Sequence, residues 1–112
     1  YDGAYDIPCQ FRYFECLPGG YSTLEYHEHT HMVMIFRGKG QLLLGDEIHD
    51  VESGDFIEIP GKTIHQFRAN KGDYIGFLCL VNQERDKVKL LSPEEMETLQ
   101  ANPKIKEFLE SC

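Results

Sequence analysis

Short segments rich in β-branched and aromatic residues, separated by glycine, proline or aspartate, make up most of the chain up to residue 82. Eight such segments lie at residues 11–17, 21–27, 32–36, 41–44, 47–51, 56–59, 64–69 and 74–81. Strands of this length at regular spacing are typical of a closed barrel or a sandwich, and they do not favour a mixed α/β sheet. The sequence therefore predicts an all-β fold for about residues 11–82.

Two of the connections between these segments give specific predictions. Gly45-Asp46 is a two-residue connection of the kind that joins the strands of a hairpin. The run RGKG at residues 37–40 is rich in glycine, and we expect it to be a turn that ends the strand at 32–36.

The C-terminal part of the sequence predicts helices. The run SPEE at residues 92–95 has a serine N-cap, a proline at the first helical position and a glutamate three residues after the cap. Asn102-Pro103 is expected to end this helix, and a short second helix is expected at 104–111. We interpret residues 92–111 as a helical extension packed on the barrel, within a single domain of residues 1–112.

Composition narrows the range of partners and compartments. The formal net charge of −8 argues against a nucleic-acid partner and against binding to an anionic membrane surface. The sequence has no apolar stretch long enough to span a membrane. Its four cysteines, Cys9, Cys16, Cys79 and Cys112, form no C-x-x-C pair, so we expect reduced thiols and a cytoplasmic location.

Three of the five histidines lie at alternate positions in the stretch EYHEHTH, and a glutamate lies two residues before the first of them. Residues two apart on a strand share a face, so Glu25, His27, His29 and His31 are expected to point the same way. Buried imidazoles need partners, and a metal ion would supply one for each nitrogen lone pair. A solvated histidine cluster on a sheet edge explains the same pattern, and the stretch alone leaves both interpretations open.

A second segment points to a family. The run GDFIEIPGKTIHQFRAN begins at Gly54 and places Pro60 six positions later and His65 five beyond that. This spacing resembles the second motif of the cupin family, G-x5-P-x-G-x2-H-x3-N. The sequence departs from the motif in having Gly61 one position early and Asn70 one position late. Both departures concern the turn, and the resemblance makes His65 a metal ligand.

The first cupin motif, G-x5-H-x-H-x3,4-E-x6-G, has a register that fits if its last ligand is His31, because Gly38 then occupies the position of the final glycine. The sequence in that register reads E-x-H-x3-H where the family usually reads H-x-H-x3-E. The ligand set that the resemblance implies is Glu25, His27, His31 and His65. In an alternative register His27 and His29 form the H-x-H pair, which makes His29 the alternative ligand.

The resemblance implies a fold and a cofactor. The fold is the cupin double-stranded β-helix, a jelly-roll barrel, over about residues 11–82. Mixed imidazole and carboxylate donors suit a divalent transition metal, namely manganese, iron, nickel, cobalt or zinc, and manganese is favoured here. Four protein ligands on an octahedral ion would leave two positions for a small-molecule substrate that chelates through two oxygens.

Other residues have candidate roles around this site. Tyr13, Ile57 and Phe67 are candidates for the wall of a substrate pocket. Lys62 and Arg68 lie near His65 in the sequence and are candidates for holding a phosphate, although solvated surface charges are the simpler interpretation.

The strand MVMIF is apolar on both faces. Val33 and Ile35 are expected to follow His31 inward, while Met32, Met34 and Phe36 point outward. A two-sided apolar strand is usually covered on both sides, so the outward set predicts a homodimer.

The sequences of residues 11–31 and 76–86 resemble those of small cupins that process 1-methylthioxylulose 5-phosphate. These are manganese-dependent methylthiotransferases that pass the methylthio group to glutathione, and the resemblance would make Cys79 a candidate catalytic thiol near the metal. A metal-dependent enzyme that uses the ion as a Lewis acid on a small oxygenated metabolite is the main hypothesis. An isomerase, a lyase, a dioxygenase, a non-catalytic ligand-sensing module and a storage protein are the alternatives.

Overall fold

The structure, a computed structural model, describes residues 8–82 and 89–110. Its elements are β1 (Cys9–Cys16), β2 (Glu25–Tyr26), β3 (His31–Leu44), β4 (Glu47–Glu52), β5 (Phe56–Ile59), β6 (His65–Ala69), β7 (Ile75–Asn82), β8 (Lys89–Leu90), α1 (Pro93–Gln100) and α2 (Pro103–Glu110). The prediction of an all-β barrel followed by short helices is confirmed.

All strand pairs are antiparallel, and β3 belongs to two sheets. The first half of β3 pairs with β5 and β7, and β1 joins on the far side of β7. The second half of β3 pairs with β4 and β6, and β2 and β8 follow β6. The curled sheet that results encloses one apolar interior.

The predicted turn at residues 37–40 is wrong, because β3 runs through it without interruption. The register of β3 against β7 shifts between Ile35 and Arg37, which marks a β-bulge where the strand bends from one sheet into the other. Gly38 has a positive φ of 85°, and a Cβ at this position would overlap the carbonyl oxygen of Tyr74. Glycine is therefore needed here for the close approach of two backbones, and not for a turn.

Two further strand predictions need correction. Of the segment at 21–27, only Glu25–Tyr26 is a strand, although Tyr21 forms an isolated bridge with Arg68. Strand β8 lies outside every predicted segment and is only two residues long. The predicted hairpin is confirmed, since Leu44 pairs with Glu47 across the Gly45-Asp46 turn.

The interior of the barrel follows the expected alternation along β3. Val33 and Ile35 are each 1% exposed, and His31 shares their face. Met32 and Met34 are half-buried on the opposite face, and Phe36 is 53% exposed. The remaining members of the core cluster come from all the long strands; they are Cys16, Leu42, Val51, Ile59, Phe67, Ala69, Ile75, Phe77, Cys79 and Val81.

The capping box at α1 is confirmed, because the Ser92 side chain accepts from the Glu95 backbone N–H and the Glu95 side chain accepts from that of Ser92. As predicted, α1 ends before Asn102-Pro103 and a second helix follows; α2 begins at Pro103, one residue earlier than expected. Asn102 Oδ1 accepts from the Lys104 backbone N–H and thereby supplies the N-terminal cap of α2.

The helices pack on the outer face of the second sheet. Leu43 on β3 forms a buried cluster with Leu99 of α1 and with Ile105 and Phe108 of α2. The helices therefore extend the core without entering the barrel interior. Neither helix, within the described part of the chain, is long and apolar enough to span a membrane.

We expect Gly38→Ala to destabilise the protein by about 3 kcal/mol or more. The new methyl group would overlap the backbone carbonyl of Tyr74, and alanine also disfavours the positive φ at this position. Gly72→Ala is the matched control: its φ is 82°, but a Cβ there meets nothing within 4 Å, so we expect a loss of only about 1 kcal/mol. Urea unfolding of both variants measures the difference, and equal losses would contradict the steric role of Gly38.

Candidate metal centre

Two strands bring a carboxylate and an imidazole together. Glu25 on β2 is the direct cross-strand partner of His65 on β6. Side chains of directly opposed residues in an antiparallel pair have Cβ atoms about 4.5–5.5 Å apart and lie on one face. Both residues line the cavity inside the barrel, although they lie 40 positions apart in the sequence.

His27 completes a cluster with these two residues. Its Nε2 lies 3.2 Å from Glu25 Oε1, and its ring centroid lies 4.9 Å from that of His65. One ligand atom from each of Glu25, His27 and His65 can be chosen so that all three lie within 4.8 Å of one another. We call these three residues the triad.

The ring of His65 is held in a form suited to metal binding. Its Nδ1 lies 2.9 Å from the backbone carbonyl of Thr63 and donates to it in the neutral ring, which leaves the Nε2 lone pair available. Burial lowers the pKa of His65, and nearby His27 lowers it further, while the Thr63 carbonyl and Glu25 act in the opposite direction. The net lowering favours the neutral imidazole, which is the form that binds metals.

His31 lies directly beside the triad. Its ring stacks on that of His27 with centroids 3.9 Å apart and an interplanar angle of 17°. Its Nδ1 lies 3.6 Å from Cys79 Sγ, so this ring contacts both the triad and a buried thiol. His29 is half-buried and does not line the same cavity. His49 is on the surface, with Nε2 3.1 Å from Glu47 Oε2.

The turn at 60–63 supports the loop that carries His27. The backbone N–H of Lys62 donates to the His27 carbonyl over 2.5 Å, and a Cβ on Gly61 would overlap the carbonyl oxygen of Glu28. Lys62 has a φ of +64°, the left-handed conformation that glycine adopts most easily. Lysine thus takes the backbone conformation of the expected glycine, while Gly61 is needed for the close approach.

A cavity of about 420 Å³ opens onto this cluster. Phe67 lines it, as predicted from the sequence, and stacks on Phe77 with centroids 4.3 Å apart. The other lining residues are Arg12, Phe14, Glu15, Cys16, Tyr21, Ser22, Thr23, Glu25, His27, His31, Val33, Ile59, His65, Phe77, Cys79 and Val81.

Two predicted wall residues do not line this cavity. Tyr13 lies on the outer face of β1, is 42% exposed, donates to Glu15 and accepts from Arg37. Ile57 packs against the core from β5 without reaching the cavity. Strand alternation explains the error at Tyr13: the inward residues of β1 are its neighbours Arg12 and Phe14.

Several cavity residues were missed by sequence reasoning. Arg12, Phe14 and Cys16 share the inner face of β1. Their two-residue spacing along the strand could have predicted this shared face from the sequence. Burial raises the pKa of the Cys16 thiol, which disfavours its thiolate. The expected phosphate candidates lie elsewhere, since neither Lys62 nor Arg68 lines the cavity.

The triad and its surroundings fit a divalent metal ion. The side chains of two histidines at 5% exposure and a glutamate converge in a cavity with an otherwise largely apolar wall. Such a group is costly to bury unless its lone pairs are satisfied, and a first-row transition metal satisfies nitrogen and oxygen donors together.

A family model described as a cupin domain matches residues 12–81. The chain belongs to the cupin domain family. This cupin is 45% identical over 101 residues to a protein of Rhodospirillum rubrum named 1-methylthio-D-xylulose 5-phosphate methylsulfurylase. The match covers 90% of this chain and 65% of that relative, so the chain spans slightly less than two thirds of the relative's length.

Two crystal structures are similar to this cupin over nearly its whole length. A cupin 2 conserved barrel domain protein from Rhodopseudomonas palustris is 50% identical with a TM-score of 0.90, covering 93% of this chain and 72% of that one. A cupin-2 domain protein from Rhodospirillum rubrum is 42% identical with a TM-score of 0.92, covering 96% and 73%.

We expect the purified protein to bind about one divalent transition metal ion per chain. His27→Ala and His65→Ala should each weaken binding more than about 100-fold, because each removes a direct donor and leaves too few ligands. His31→Ala should weaken binding more than His29→Ala, and His49→Ala is the surface control. Isothermal titration calorimetry with the metal ion measures the affinity of each variant. If His29→Ala loses the metal while His31→Ala keeps it, the register of the first motif is wrong.

Proposed function

We propose that this cupin is a metal-dependent enzyme that removes the methylthio group from 1-methylthio-D-xylulose 5-phosphate and passes it to a thiol acceptor. The observation that carries the proposal is a buried thiol, Cys79, in the same cavity as the candidate metal-binding triad and in contact with His31. The name of the 45% identical relative supplies the substrate.

The metal, with manganese favoured, would be held by the triad and His31. A bound divalent ion acts as a Lewis acid that polarises the substrate carbonyl and stabilises negative charge developing beside it. The carbonyl of this ketose is adjacent to the carbon that carries the methylthio group. Stabilisation at this position therefore serves cleavage of the carbon–sulfur bond.

His31 and Cys79 would perform the sulfur chemistry. An imidazole that binds a metal through Nε2 carries its proton on Nδ1, and this N–H would donate to Cys79 sulfur and favour its thiolate, with the thiol proton released to solvent. The thiolate attacks the methylthio sulfur, so that a sulfur–sulfur bond forms while the bond from sulfur to C1 breaks. The electron pair passes to C1, which takes a proton from solvent and becomes a methyl group.

A second thiol from solution completes the cycle. It attacks the disulfide between Cys79 and the methylthio group, leaves with that group, and returns Cys79 to its reduced form. The overall reaction moves the methylthio group from C1 of the sugar to the acceptor sulfur. C1 is reduced while the acceptor thiol is oxidised to a disulfide, so the reaction needs no dioxygen.

We expect Cys79→Ser to lose more than about 1,000-fold in methylthio transfer while it retains the metal, because serine is a far weaker nucleophile at neutral pH. Cys9→Ser is the control, since Cys9 lies outside the cavity. Transfer should proceed anaerobically and stop on chelation. Loss of activity in Cys16→Ser but not in Cys79→Ser would assign the thiol role to Cys16.

The same assay tests the alternatives. Stoichiometric consumption of dioxygen during turnover would place this cupin among the dioxygenases. Tight binding of sugar phosphates without turnover of any of them would support a ligand-sensing module.

We also propose a homodimer formed through the outer face of the first sheet. This face carries four aromatic rings that are 42–64% exposed, namely Phe11, Tyr13, Phe36 and Phe56, beside the half-buried Met32 and Met34. A second copy of the chain presents the same apolar face, and a two-fold axis lets the two faces cover each other.

Light scattering at micromolar concentration should give twice the mass of one chain. Phe36→Asp should shift the protein to the monomer, because the charge would be buried in the interface. Leu17→Asp is the control: Leu17 is 72% exposed but lies in the turn after β1, away from this face. A monomeric wild-type protein would exclude the dimer.

A further inference from the structure

The cavity contains one arginine whose role is not explained by metal binding or by the sulfur chemistry. Arg12 lies on the inner face of β1 and lines the cavity together with the triad. It is the only arginine or lysine among the lining residues that the structure describes. The wall also carries Glu15 and Glu25, and the chain has a formal net charge of −8. A phosphate dianion that lies along this wall, away from the metal, would be repelled unless a second cation faced it.

The other arginines and lysine near the site have different surroundings. Arg68 is 6% exposed, and its guanidinium lies over the ring of Phe108 at 4.6 Å, under helix α2. Lys62 is solvated, with Nζ 3.8 Å from Glu28 Oε2. Arg37 lies on the outer face, where its Nε donates to the Tyr13 hydroxyl. None of these three lines the cavity.

Arg12 has its guanidinium available for a ligand. Within residues 8–82 and 89–110 its guanidinium has no carboxylate or hydrogen-bonding partner, and its cation–π contact is with the ring of Phe14, whose centroid is 5.7 Å away. Phe14 is itself held against Phe77 with centroids 5.6 Å apart. A guanidinium supported on an aromatic ring presents its planar set of N–H donors in a geometry that matches two oxygens of a phosphate.

The position of Arg12 relative to the reactive groups suits the length of the substrate. Arg12 is the direct cross-strand partner of Cys79, and Cys79 contacts His31, which stacks on His27 of the triad. The phosphate of a 5-phosphoketose is three carbons beyond its carbonyl. A ketose whose carbonyl is at the metal can therefore extend its phosphate along the wall toward β1.

We propose that Arg12 is the phosphate anchor of this cavity and that it selects phosphorylated ketoses over the free sugars. The inference rests on the proposed function for the identity of the substrate. The inference concerns only how the phosphate is bound: a phosphate monoester binds by paired hydrogen bonds to the guanidinium of Arg12 on β1.

The experiment compares two unreactive ligands, D-xylulose 5-phosphate and D-xylulose, on the metal-loaded protein. Calorimetry should show that Arg12→Gln weakens binding of the phosphate ester by about 10- to 100-fold and leaves binding of the free sugar unchanged. Arg12→Lys should restore part of the loss, because lysine keeps the charge but not the paired donors. Arg37→Gln, a cation on the outer face, should change neither affinity.

The outcomes separate this inference from the proposed reaction. If Arg12→Gln weakens binding of both ligands equally, Arg12 has a structural role and the anchor is overturned. The anchor is also overturned if the variant binds the phosphate ester as tightly as the wild-type protein does. It is overturned as well if the wild-type protein binds neither ligand. Arg12-dependent binding of the phosphate ester, with no transfer from 1-methylthio-D-xylulose 5-phosphate, would support the anchor and reject the reaction. If transfer occurs, Arg12→Gln should raise KM by about the same factor and change kcat little.

Discussion

The passage of β3 from one sheet to the other is the constraint on which the rest of the structure depends. Its first half pairs with β5 and β7, and its second half pairs with β4 and β6, so one continuous strand fixes how the two sheets curl around the interior. The bend requires a bulge at Phe36 and a glycine at position 38, where two backbones meet. Because His31 begins this strand and Val33 pairs with Cys79, the same geometry sets the histidine beside the thiol.

The triad concentrates polar groups inside an otherwise apolar barrel. Glu25, His27 and His65 would lose hydration on folding, and the lowered pKa of His65 shows the cost of a charged imidazole there. Hydrogen bonds offset part of this cost, as between His65 and the Thr63 carbonyl. A metal ion would offset more of it, because it satisfies the remaining lone pairs. Metal binding and folding stability are therefore expected to be coupled in this protein.

Local sequence patterns predicted the strands, the helix cap and the inward face of β3, because each depends on residues a few positions apart. The pairing of Glu25 with His65 depends on the register between distant strands, and only the resemblance to a family brought these two residues together before the structure did. The glycines of β3 were misread since a turn and a close backbone contact require the same residue type. Pro103 follows the end of α1 and begins α2, because proline is unfavourable inside a helix but favourable in its first turn. At β1 the choice of Tyr13 followed its aromatic character, whereas alternation along the strand places Arg12 inside.

The separation of the thiol from the triad matters for the chemistry. Cys79 contacts His31 and is not a member of the triad, so in the proposed reaction its sulfur would not be a metal ligand and would stay available as a nucleophile. Cys16 lines the same cavity, but burial raises its pKa and its thiolate is disfavoured. In the proposed reaction, a metal at one wall, a nucleophilic thiol beside it and a guanidinium on the adjoining strand would distinguish three parts of a substrate: a chelating carbonyl, a transferable sulfur and an anionic end. A simple carboxylate or a free sugar lacks at least one of these parts, which is why the arrangement favours a sulfur-bearing sugar phosphate over the other small oxygenated metabolites that a cupin metal site can accept.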